Sequence, residues 1–205
     1  MPATDPQRRA RMDVIRNRDA DRLQAALGRL PRRRQKPALI ILIGFPGSGK
    51  SHLARSLKAR YPAAILDSDA LRQVLFATPE HTTKEHGRLF PAIHVLMRRL
   101  LEQGISVIVD ATNLKEANRR PYYAIAQDAG LPVVLVRVVA PVSEIRRRLA
   151  RRKTGRNADD HSTATMSVFE SMKGDYERPR RRYFTVNTAR NTDEVLDKIV
   201  ARLQS

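Results

Sequence analysis

Apolar residues arrive along this chain in short bursts separated by amphipathic stretches, and the alternation repeats from residue 38 onward. Residues 38–43 (ALIILI) are apolar without a break, as a strand covered on both faces requires. A glycine-rich turn follows, and then a helical pattern over 50–60. Residues 63–66 predict a second strand, and 70–76 open a second helix. A longer helix over 86–103 places Leu89, Ile93, Leu96, Leu100 and Leu101 on one face, and Gly104 stops it. The pattern continues with a strand over 105–109, a helix over 115–129 ended by Gly130, and a strand over 133–139 (VVLVRVV). Arg137 inside that strand marks an end or a face that reaches solvent. Helices over 141–152 and 162–176, a last strand over 183–186 and a helix over 192–203 complete the pattern. Apolar strands separated by helices define an α/β fold, a parallel sheet with helices on both faces and right-handed crossovers.

The first 36 residues differ from the rest. They are dense in arginine, contain no strand, and end in a Pro-Arg-Arg-Arg-Gln-Lys-Pro run. Val14, Ile15, Leu23, Leu27 and Leu30 recur at loosely helical spacing, which predicts an amphipathic helix ending near residues 28–31. Two roles are open for this leader: a solvated helix packed on the edge of the domain, or an arm for nucleic acid. The expected organisation is therefore a helical leader over 1–36 and one domain over 37–205.

Composition narrows the classes. The 205 residues carry 39 Lys and Arg against 21 Asp and Glu, a net charge of +18, which draws in polyanions such as nucleic acid. Cysteine is absent, which removes disulfides, thiolate nucleophiles and Cys-containing zinc sites. The five histidines show no compact metal-ligand spacing, so no zinc or other structural metal is expected. The longest apolar run is far short of the roughly 18 residues that span a membrane. The arginine-rich N-terminus lacks the apolar segment of a secretory signal, so no membrane partner and a cytoplasmic location are expected.

The chemistry begins in the first turn. Gly44-Phe45-Pro46-Gly47-Ser48-Gly49-Lys50-Ser51 satisfies G-x-x-x-x-G-K-[ST] between a buried strand and a helix, where a phosphate-binding loop needs to be. Its glycines let backbone N–H groups wrap phosphate oxygens at a helix N-terminus. Lys50 is expected to reach the β and γ phosphates of ATP, and the Ser51 hydroxyl to ligate Mg²⁺. The nucleotide-binding set is Gly44, Gly47, Ser48, Gly49, Lys50, Ser51 and His52.

Asp110, at the end of the third strand, supplies the second Mg²⁺-side residue. Hydrolytic motors commonly follow that acid with a glutamate that activates water, but Ala111 stands here, and no Asn-Lys-x-Asp guanine motif is present. Transfer to an acceptor other than water is favoured. Asp67 and Asp69 are two candidates for the proton acceptor; with a helix starting at Ala70, Asp69 is expected as its N-cap and as the general base in the crevice. Arg146, Arg147, Arg148, Arg151, Arg152 and Arg156 cluster where a lid would bring an arginine to the transferring phosphate; Arg152 is the first candidate and Arg148 the second.

The order Gly44–Ser51, then D-x-D-x-x-R from Asp67 to Arg72, D-x-T-N-L from Asp110 to Leu114, Arg119-Arg120 and the arginine-rich lid over about 148–178 resembles the P-loop kinase family that contains phage-type polynucleotide 5′-kinases. The likeness spans about residues 38–200. It implies a P-loop NTPase fold with a five-stranded parallel sheet and a helical lid, and ATP with Mg²⁺ as phosphate donor to a nucleic-acid 5′-hydroxyl. The resemblance further implies Asp69 as base, Arg72 as a contact to the acceptor's phosphate, Thr112, Asn113, Arg119 and Arg120 on the acceptor side, and Arg152 on the transferring phosphate. The same module also phosphorylates small molecules, which is the alternative reading; a nucleotide-gated regulatory protein is a third.

Overall fold

The computed structural model describes residues 5–154 and 164–205, the side chains of 152–154 excepted. The uninterrupted apolar run becomes β1 (Leu39–Ile43), fully buried at the centre of a parallel sheet. β3 (Val107–Asp110) and β4 (Val133–Val139) flank it; β2 (Ala64–Asp67) lies outside β3, and β5 (Tyr183–Asn187) outside β4. This is the five-stranded parallel sheet of a P-loop NTPase. The helices are α1 (Pro6–Ala26), α2 (Lys50–Arg60), α3 (Ser68–Leu75), α4 (Thr83–Glu102), α5 (Glu116–Asp128), α6 (Val142–Thr154), α7 (Met166–Met172) and α8 (Asp193–Gln204).

Because side chains alternate along a strand, β1 feeds two cores. Leu39, Ile41 and Ile43 pack with Leu23 of α1, Leu89, Ile93 and Leu96 of α4 and Ile125 of α5. Ile40 and Leu42 pack on the other face with Leu53 and Leu57 of α2 and Leu196 and Ile199 of α8. A third, smaller cluster joins Ile145 and Leu149 of α6 to Phe169 of α7, with Phe45 packed against it. The expected helix over 162–176 is described as α7, capped by the Thr165 side chain, followed by a 3-10 turn at Lys173–Asp175; residues 162 and 163 lie outside the described residues.

The leader helix forms, and Leu23, Leu27 and Leu30 of its expected apolar set pack on the core, but Val14 and Ile15 do not. Ala20 and Leu23 are buried, whereas Val14 is 68% and Ile15 40% exposed. The docked face also carries charge. Asp19, itself buried, accepts from Arg88 Nε and Nη2 of α4, both at 2.7 Å. Arg99 of α4 donates to Asp21 and to Asn17, and Arg22 donates to the Val74 carbonyl of α3 at 2.7 Å. Periodicity of apolar residues could not show this, because half of the attachment is ionic. The linker is held as well: Arg34 N–H donates to the Gly104 carbonyl at 2.7 Å. Gly104 has φ +79 and no room for a Cβ, which would stand 2.8 Å from the Arg34 carbonyl.

Candidate active site

At the carboxyl ends of β1 and β3 the phosphate loop turns directly into α2. Gly49 is the residue before the helix, with φ +93, a conformation that glycine adopts freely. Gly44 is required for a different reason: a Cβ there would lie 2.5 Å from the Val138 carbonyl oxygen. Its N–H donates to the Thr112 carbonyl, fastening the loop to the segment after β3. Lys50 Nζ donates to the Phe45 carbonyl at 3.1 Å, so the ammonium lies across the loop. Ser48 Oγ is buried and has no hydrogen-bond partner. His52 is exposed on α2.

Asp110 and Asp67 are partners in register at the ends of the adjacent strands β3 and β2. The Asp110 carboxyl is buried and hydrogen-bonded to Ser51, yet its Oδ2 has no partner. Burial raises its pKa above the usual carboxylate value, Lys50 opposes that, and the charge on Asp69 adds to it. Asp67 is pushed up to about 6, first by burial and then by the charge on Asp110. Two acids that repel one another, an orphaned carboxylate oxygen and a serine hydroxyl form a donor set that fits Mg²⁺. Among the described residues no group of three or more His, Cys, Asp or Glu could hold a metal ion by itself. A cation here would therefore depend on phosphate oxygens for the rest of its shell.

The cap of α3 is Asp67 and not Asp69. Its Oδ1 accepts from the N–H groups of Asp69 and Ala70 at 2.9 and 3.2 Å, so the helix starts two residues earlier than expected. Asp69 stands in the first turn without the capping duty, close enough to act electrostatically on both Asp67 and Asp110. Beside these acids lies a cavity of about 300 Å³. Ser51, Arg55, Asp67 and Asp110 form its polar side, and Leu27, Leu71 and Val74 are on its apolar side.

A protein-family model described as an AAA domain matches residues 39–179, from β1 through the segment after α7. The chain belongs to this family. The AAA domain is similar to the adenylyl-sulfate kinase of Myxococcus xanthus, 31% identical over 108 residues that make up 51% of this chain and 58% of that protein. It is similar to the L-seryl-tRNA(Sec) kinase of Methanococcus maripaludis, 26% identical over 79% of this chain and 64% of that protein. The chain thus spans about three fifths of either relative. In fold it resembles Kti12 of Chaetomium thermophilum in complex with ADP-AlF3, at a TM-score of 0.64 and 24% identity over 80% of this chain and 98% of that one.

Several residues expected on the acceptor side of this AAA domain have structural partners. Arg72, 2% exposed, points into the fold, where Nη1 donates to Glu85 at 3.0 Å. Glu85 also accepts from the N–H groups of Glu80 and His81, which hold its pKa below the usual value together with Arg72. That ion pair ties α3 to the start of α4. Arg119 is fully buried: it donates to Glu116 and to the carbonyls of Asn113, Leu114 and Glu177. Asn113, at φ +48, donates its amide to the Leu42 carbonyl at 2.8 Å, bracing the turn after β3 against β1. Thr112 contributes its carbonyl to the phosphate loop, and Arg120 is exposed on α5.

The two lid arginines fare differently. Arg148 Nη1 donates to Thr188 Oγ1 at 2.8 Å and to the Gly47 carbonyl at 3.3 Å, Nη2 to the Thr188 carbonyl, and Nε to Glu144. Arg148 thereby clamps the phosphate loop to the segment after β5. Arg152 falls on α6, but its side chain, like all of Arg156, lies outside the described residues. Phe169 is buried against the Phe45 ring with centroids 5.4 Å apart, the packing role expected of it. Sequence reasoning missed Thr188, whose hydroxyl donates to the Ser48 carbonyl, and Arg55, whose charge acts on Asp110. Neither belongs to a recognisable motif.

Proposed function

We propose that this AAA domain is an ATP-dependent kinase that phosphorylates a hydroxyl group on a small molecule. The observation that carries the reading is the open cavity of about 300 Å³ that joins Ser51, Asp67 and Asp110 to an apolar wall, with Asp69 next in sequence to the lining residue Ala70. Its volume suits a nucleoside-sized group, and the arginine expected to hold a polynucleotide phosphate is buried against Glu85. The names of the similar proteins agree with a kinase other than a 5′-end kinase: adenylyl-sulfate kinase favours this reading, and L-seryl-tRNA(Sec) kinase fits the second reading below. The net charge of +18 keeps a second reading, an acceptor hydroxyl carried on nucleic acid.

In this reading the loop from Gly44 to Ser51 cradles the ATP phosphates, and Lys50 turns from the Phe45 carbonyl to the β and γ phosphates. Ser51, Asp110 and Asp67 would hold Mg²⁺, which when bound neutralises developing phosphate charge. Asp69, relieved of capping by Asp67, accepts the proton of the acceptor hydroxyl. The acceptor oxygen forms its bond to the γ-phosphorus as the bond to the ADP oxygen breaks, and the proton passes from Asp69 to solvent. The test uses purified protein, radiolabelled ATP and Mg²⁺ with a panel of nucleosides, nucleotides including adenylyl sulfate, sugars, hydroxy amino acids and a 5′-hydroxyl oligonucleotide. Label on a small acceptor supports the reading; label on the oligonucleotide alone favours the second; ATP binding with no label anywhere makes the protein a nucleotide-gated regulator.

A further inference from the structure

The matched family region begins at residue 39, yet the cavity wall across from Asp67 and Asp110 includes Ala26 and Leu27 from the end of α1. We infer that the C-terminal end of the leader helix is the acceptor-specificity wall, selecting acceptors whose non-reacting part is apolar; this rests on the kinase reading above. Three observations place the wall and hold it there. Leu27 is partly buried against the core and stands across the cavity with Leu71 and Val74 of α3. Arg22, one turn earlier, donates to the carbonyl of that same Val74, which ties the end of α1 to α3. Farther back, the doubly hydrogen-bonded Asp19–Arg88 pair and the Arg99 bonds to Asp21 and Asn17 fix the helix against α4.

The chemistry of the wall sets the class of ligand. The charges lining the cavity are the carboxylates of Asp67 and Asp110 and the guanidinium of Arg55. Ala26, Leu27, Leu71 and Val74 offer no group that would match a phosphate or carboxylate on the far end of the acceptor. An apolar ring or alkyl face therefore gains most from this side. Position 26 is exposed apart from the cavity, so it accepts a larger side chain without disturbing the core.

The experiment compares wild type, Ala26→Trp, Leu27→Trp and the control Val14→Trp, whose position on α1 is 68% exposed and outside the cavity. KM for ATP and KM for the panel acceptor that wild type labels best are measured separately. Both cavity variants are expected to raise acceptor KM at least tenfold and leave ATP KM within twofold, while Val14→Trp moves neither. Should Leu27→Trp lose ATP binding through misfolding, Ala26→Trp decides alone. Acceptor KM within twofold of wild type in Ala26→Trp overturns the wall while leaving the kinase reading intact. Labelling of no panel member by wild type overturns the kinase reading and the inference with it.

Discussion

The phosphate-loop motif is eight consecutive residues, Gly44 to Ser51, whereas the cavity proposed for the acceptor collects its walls from α1, α2, β2, α3 and β3, residues as far apart as Ala26 and Asp110. The difference is physical. A phosphate is bound by backbone N–H groups in one fixed arrangement, so its sequence signature is local and strict. A hydroxyl acceptor is bound by a shaped cavity, whose residues need share only a place in space. Motif logic therefore reaches the first side and stops short of the second.

Four substitutions probe this contrast. Lys50→Ala strikes the local side and should lower transfer by about 10²–10⁴-fold, measured by product formation under saturating acceptor. A loss below tenfold would remove Lys50 from the γ-phosphate. Arg72→Met removes the ion pair that ties α3 to α4, and although Glu85 keeps the N–H groups of Glu80 and His81, the urea unfolding midpoint should fall. An unchanged unfolding midpoint together with a raised acceptor KM would return Arg72 to substrate binding.

Asp67→Asn tests the repelling pair. With a folded pKa near 6 against an ordinary 3.8, the ionised form is disfavoured by folding. Native stability should therefore fall as pH rises from about 4 to about 6, and stay lowered above that. The variant, whose amide can still cap α3, should be more stable than wild type by about 1–3 kcal/mol at pH 7 without Mg²⁺, and should need more Mg²⁺ for transfer. Thermal melts in a chelator across pH 4–8 and a Mg²⁺ titration of the rate check both parts. The smallest effect is expected of Arg148→Ala, a rise in ATP KM of about three- to tenfold with kcat nearly unchanged, because the side chain braces the loop from behind. A hundredfold fall in kcat would make it the arginine on the transferring phosphate after all.

Much of the fold was legible, because fully apolar strands and glycine stops leave little choice: α2 runs over the predicted residues 50–60 and β4 over 133–139, and Gly104 and Gly130 end their helices at positive φ. The docking of Leu23, Leu27 and Leu30 was legible in α1, while the polar bonds of Asp19, Asp21 and Asn17 to α4 were hidden because periodicity registers apolar residues alone. The burial of Arg72 and Arg119 was hidden for a related cause: a charge is ordinarily read as exposed, and only the fold shows that Glu85 and three backbone carbonyls await these two guanidiniums. Asp67 and Asp69 could be named from the sequence as a pair, but which one caps α3 depends on where β2 ends.

The central claim is that an acid on the first turn of α3 takes the acceptor proton opposite the phosphate loop. Its most direct test is single-turnover transfer by Asp69→Asn, with ATP affinity measured in parallel. A fall of about 10²–10⁴-fold in the transfer rate at unchanged ATP affinity is the predicted result; transfer at close to the wild-type rate would contradict it.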